Sequence, residues 1–120
     1  MNQKGSTAEE WAAQFLQRQG LTLIARNYHC RFGEIDAIAR DGTTLVFVEV
    51  RWRQRATSLL LESIDARKQR CWWLTARHYL AHHGLPARCR FDVLLLEGHH
   101  CHLRHWLRNV ALDSFSRESY

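Results

Sequence analysis

Apolar residues first recur at helical spacing. Ala8, Trp11, Ala12, Phe15 and Leu16 fall on one face of a helix predicted over 7–19. Ser6 or Thr7 can cap its start, with Glu9 or Glu10 as a capping-box acid three residues on, and Gly20 supplies the stop. From Leu21 to about His29 the pattern becomes that of a strand. GEIDAIAR and TTLVFVEVRWR read as two more strands, separated by Asp41-Gly42, a dipeptide that favours a two-residue hairpin turn because both turn positions need positive φ. Ser58 to His83 reads as a long helix with Ile64, Cys71, Trp72, Thr75, Tyr79 and Leu80 near one face, ended by Gly84 and Pro86. RCRFDVLLLE carries a continuous apolar run, as a buried strand does, and CHLRHWL alternates like an edge strand. From Asn109 onward the pattern predicts a loose tail. The order α-β-β-β-α-β-β places the chain in the α/β class as one domain over 1–120. A helix between strands implies a crossover and some parallel pairing, so the sheet is expected to be mixed, with a helix on each face or both on one.

The hairpin pattern has a chemical consequence. A two-residue Asp41-Gly42 turn pairs Arg40 with Thr43, and puts Asp36 opposite Phe47 and Glu34 opposite Glu49. Side chains alternate along each strand, so Glu34, Asp36, Glu49 and Arg51 project to one side. Asp36 and Glu49 become diagonal neighbours, about 7–8 Å apart at the backbone. A four-residue loop keeps this parity and a three-residue loop reverses it. Glu49 lies inside LVFVEVRW, a segment apolar enough for a central strand, where a lone carboxylate costs several kcal/mol unless paired or metal-bound. Two arrangements satisfy it. Glu49 can pair with Arg51, or with Arg90 on a neighbouring strand, while Asp36 caps a turn. Alternatively, Asp36 and Glu49 together hold a hard cation such as Mg²⁺ or Mn²⁺, which oxygen ligands suit. A cation so placed polarises a phosphodiester and lowers the pKa of a bound water, with Arg51 positioned to stabilise charge on the phosphate.

Composition narrows the partners. The 120 residues carry 17 basic and 12 acidic side chains, a net charge of +5, which favours polyanions, nucleic acid first. No run is apolar enough to span a bilayer and the N-terminus has no apolar h-region, so a cytoplasmic protein without a membrane partner is expected. Cys30, Cys71, Cys89 and Cys101 form no C-x-x-C pair and read as reduced and mostly packed. Arg51, Arg53 and Arg55 run off the end of the acidic strand, and Arg67, Lys68 and Arg70 lie early in the long helix. Both clusters, with Arg31, are candidate phosphate contacts, a solvated basic face being the alternative. Trp52, Trp72 and Trp73 offer rings for unpaired bases, with core packing favoured for the two on the helix. His99, His100, Cys101 and His102 match no zinc spacing and read as a polar turn.

At these residues a resemblance enters. GEIDAIARDGTTLVFVEVRWR, with AEEWAAQFLQRQGLTLIARNYHCRFGEID before it and DARKQR and CRFDVLLL after it, resembles the YraN-like family of uncharacterised bacterial proteins over most of the chain. That family is similar in turn to Holliday-junction resolvases of the restriction-endonuclease-like fold. Their pattern is a glutamate on the first helix, an aspartate, then E-x-K. The resemblance implies a Mg²⁺- or Mn²⁺-dependent nuclease acting on structured or single-stranded DNA, with DNA ahead of RNA as partner, and it allows a homodimer. Asp36 and Glu49 would be metal ligands, and Glu9 the helix acid. Arg51 stands where the pattern has lysine, and arginine does not serve as a base. The departure keeps open a second expectation, a nucleic-acid-binding protein with a degenerate site. A third is an interaction protein whose carboxylates are paired with arginines.

Overall fold

The computed structural model describes residues 3–55, 66–84, 86 and 88–110, with side chains from residue 7. Helix α1 spans Gln3–Arg18, strands β1, β2 and β3 span Thr22–Cys30, Gly33–Asp41 and Thr44–Arg53, helix α2 spans Ala66–His83, and β4 and β5 span Arg88–Glu97 and His102–Leu107. This is the predicted order. The predicted first residues of the second helix, 58–65, and the tail from 111 lie outside the described residues.

The five strands form one mixed sheet in the order β1-β2-β3-β4-β5. Neighbours are antiparallel except β3 and β4, which run parallel from Thr44↔Arg88 to Arg53↔Glu97. Parallel neighbours need a crossover, and α2 lies within it. β3 is central because it is apolar on both faces. Leu45 and Phe47 join Trp72 and Tyr79 of α2 in one cluster, while Val46 and Val48 join Ala12 and Leu16 of α1 in another. One helix therefore covers each face, which decides between the two arrangements left open by the pattern.

Three local expectations are corrected. The hairpin turn is Gly42-Thr43, one residue later than Asp41-Gly42: Asp41 pairs with Thr44 and Ile38 with Phe47. Only Gly42 takes positive φ (62°), the requirement of a II′ turn with glycine first, whereas Asp41 joins the strand. The register thus shifts by two residues and parity is kept over the paired stretch. It breaks at Asp36, where Ile35 packs with Ile38 in one cluster and Ala37 lies in the other. Second, α1 begins at Gln3, so Ser6 and Thr7 lie within the helix and no capping box accounts for Glu9. Third, the chain is tied down at Asn109 and Val110, not loose from Asn109. The Asn109 N–H donates to Asp92 (2.9 Å) and the Val110 N–H to the Phe91 carbonyl (2.7 Å).

Candidate functional site

β2 and β3 hydrogen-bond as far as Ala37↔Val48, so Asp36 and Glu49 are the first residues past the last bridge. Both are almost enclosed, each 9% exposed. The Asp36 carboxylate accepts from the Val50 N–H at 2.7 Å, supplying an acceptor just past the last bridge of the pair. Burial, followed by the nearby Asp36 charge, pushes the Glu49 carboxyl up to about 8. Burial also raises Asp36, against the Val50 hydrogen bond that lowers it.

A third acid arrives from α1. Glu9, half-buried, lies near enough to Asp36 and Glu34 that, after burial, their charges raise its carboxyl. Glu10 faces elsewhere, toward Arg26 of β1 at 2.8 Å. The two adjacent glutamates differ because α1 is seated by Ala8, Ala12 and Leu16, all at most 1% exposed, and that face turns Glu9 toward the sheet.

Glu9, Glu49, Val50, Arg51, Trp52, Arg53 and Lys68 line a polar cleft of about 260 Å³ together with Ala8. It lies at the C-terminal end of β3, beside the first turn of α2, the end of a parallel strand where crossover folds commonly hold ligands. A larger concavity of about 510 Å³, around the β2–β3 turn and the C-terminal end of α2, is lined by Arg40, Tyr79 and His83 among others and has no carboxylate. Of the two, the smaller cleft is the one that gathers carboxylates and cations.

The alternative of structurally paired carboxylates is not what the side chains do. Among the described residues neither Arg51 nor Arg90 forms an ion pair with Glu49. Arg90 bonds Asp92 at 3.1 Å and Asp41 at 3.1 Å, and the Arg51 Nε is buried without a hydrogen-bond partner. Asp36 caps no turn; its carboxylate meets a strand amide instead. Lys68, one of the proposed phosphate contacts, is in the cleft, and its charge favours the ionised forms of both Asp36 and Glu49. Arg53 also lines it, donating to the Trp52 carbonyl at 2.7 Å. Arg31, Arg55 and Arg70 do not line the cleft; Arg31 lies over the Phe32 ring, 4.8 Å from its centroid. Trp52 donates to the Gly98 carbonyl, Trp72 is core, and Trp73 carries Arg77 on its ring. Residues 98–101 form the polar turn between β4 and β5. Among the described residues no group of three or more histidine, cysteine or acidic side chains is already arranged as a metal-ligand set.

One buried acid escaped the sequence reading. Asp92 is fully enclosed and accepts from Arg90, the Trp106 Nε1–H and the Asn109 N–H. R-x-D on a strand puts Arg90 and Asp92 on one side, which was the available signal. Every acceptor of Asp92 that these donors reach is used within the fold, so it stands apart from the cleft.

Residues 8–96 match the family described as Uncharacterised protein family UPF0102. A UPF0102 protein of Nitrosomonas europaea is 51% identical over 112 residues, covering 92% of this chain and 95% of that protein. One from Methylobacillus flagellatus is 47% identical over 117 residues, 97% and 99% of the two chains. One from Alcanivorax borkumensis is 46% identical over 113 residues, 88% and 89% of the two. The match takes in Glu9, Asp36, Glu49, Arg51 and Lys68, and the chain belongs to this UPF0102, YraN-like family.

Proposed function

We propose that this protein is a divalent-cation-dependent nuclease acting on structured or single-stranded DNA, working in the cytoplasm. The observation that carries the reading is a polar cleft lined by Glu9, Glu49, Arg51 and Lys68, with the buried Asp36 behind it, near enough that its charge raises both glutamate carboxyls. Three acids pushed toward their neutral forms destabilise one another at neutral pH, and a cation among them removes that cost. The donor set is all hard oxygen, and two carboxylates with the remaining positions left to water suit Mg²⁺ or Mn²⁺. Asp36 and Glu49 would hold such a cation and Glu9 would steady Asp36 from α1. The bound cation would supply Lewis acidity toward a phosphodiester and a more acidic water. Arg51 and Arg53 line the same cleft and offset phosphate charge. Basic groups outside it (Arg31, Arg55, Arg70) contact flanking phosphates without reading sequence.

A second reading rests on Arg51 in the lysine position: the same cleft holds nucleic acid without cutting it. Labelled single-stranded, flapped and four-way-junction DNA, with Mg²⁺, Mn²⁺ or EDTA, separates the two. The nuclease reading expects metal-dependent cleavage that Asp36→Ala abolishes. Binding without cleavage by the wild type, with cutting gained in Arg51→Lys, establishes the second reading instead.

A further inference from the structure

The chain has two lysines, Lys4 and Lys68, and one of them is in the cleft. Lys68 is the third residue of α2, on its first turn, and is exposed where it lines the cleft. Its charge acts on both Asp36 and Glu49. At Glu49 it outweighs the charge of Arg51, although Arg51 follows two residues later on the same strand. The crossover explains the closeness: β3 ends at Arg53 beside the start of α2, so a helix residue reaches the acids from across the cleft.

Arg51 is differently held. Its Nε is enclosed by protein and lacks a hydrogen-bond partner, and the residue lines the cleft beside Glu49. A planar fork with an enclosed Nε suits a static clamp on phosphate oxygens. An ammonium on a four-carbon stem can instead follow a phosphate as its geometry changes during reaction.

We infer that Lys68 is the reacting-centre cation of this site: its ammonium touches the scissile phosphate and the attacking water, while Arg51 clamps a neighbouring oxygen. The inference rests on the nuclease reading above. In hydrolysis the water oxygen forms one P–O bond as the P–O bond to a sugar oxygen breaks, and the proton lost by the water balances the proton gained by the leaving oxygen. Lys68 donates hydrogen bonds to a non-bridging oxygen and to the water oxygen, favouring the crowded phosphorus over the ground state.

The test compares wild type, Lys68→Met, Arg51→Met and the double variant Lys68→Met/Arg51→Lys on a cleavable DNA with Mn²⁺. Lys68→Met should lower kcat about 100-fold or more, the order seen when one preorganised donor is removed. Its binding of uncut DNA in Ca²⁺ should stay within about threefold, and with the cation present its melting temperature should shift by no more than a few degrees, because Lys68 is exposed although its charge reaches Asp36 and Glu49. Arg51→Met should act chiefly on KM. Moving the lysine onto the strand, in the double variant, should restore at least about tenfold of the lost kcat. Cleavage by Lys68→Met at the wild-type rate overturns the inference and leaves the nuclease reading standing. So does a loss that appears entirely in binding, which makes Lys68 an ordinary phosphate tether. Absence of cleavage in the wild type brings down the nuclease reading itself, and this inference with it.

Discussion

Glu49 is the residue on which sequence, stability and chemistry meet. Its carboxyl is pushed up to about 8 from about 4.5 by burial and by Asp36. The folded chain without metal therefore favours the protonated acid, whereas the unfolded chain ionises it freely. The stabilising effect is complete below about 4.5 and is lost as pH rises toward 8. In EDTA the melting temperature should fall over that window. Glu49→Gln, neutral at every pH, should flatten the fall and raise the melting temperature at pH 8 by on the order of 4 °C or more. Scanning fluorimetry across pH checks both, and a wild-type curve flat from pH 5 to 8 contradicts the assignment. Asp36→Asn makes the complementary case: its side-chain oxygen still accepts from the Val50 N–H, so the fold should survive while a cation ligand is lost. We expect Mn²⁺-dependent cleavage to drop at least about 100-fold with little change in circular dichroism.

At the scale of elements, the site depends on how α1, β2, β3 and α2 are anchored. Gly42 permits the tight β2–β3 turn at φ 62°, a conformation that costs other residues about 1–2 kcal/mol. Gly42→Val should destabilise by at least that much, measured by urea unfolding, since a β-branched side chain fits the left-handed region worst. The far edge is anchored by Asp92, which ties β4 to β5 through Trp106 and to the hairpin through Arg90 and Asp41. Asp92→Ala leaves a mostly buried guanidinium and an indole N–H short of acceptors. A loss of about 3 kcal/mol or more in urea unfolding is expected, with hydrogen exchange rising first in β5. Equal exchange rates in the two proteins contradict this role.

For the whole molecule, the net charge of +5 predicts nucleic-acid binding driven by counterion release, so affinity should fall steeply with salt. A filter-binding series from 50 to 200 mM salt reads the slope, and a flat response rules out a phosphate-dominated interface. Much of this was legible before folding. The 3.6-residue spacing of Ala8, Ala12 and Leu16, the doubly apolar LVFVEV and the Gly42 turn specify helix, central strand and hairpin by local physics. Strand alternation alone predicts Asp36, Glu49 and Arg51 on one side; the two-residue error in register changes neighbours without changing faces along the paired stretch, while just past it the Asp36 carboxylate turns to the Val50 N–H. What the sequence could not supply was distance between elements. Whether Glu9 was a helix cap or a member of the acidic group was decided by where α1 begins and which face it buries. Whether Arg90 paired with Glu49 was decided by the buried Asp92 beside it, and the place of Lys68 by the crossover that returns α2 to the end of β3. These are contacts between residues far apart in the chain, and only the packing of two helices on opposite faces of one sheet brings them together.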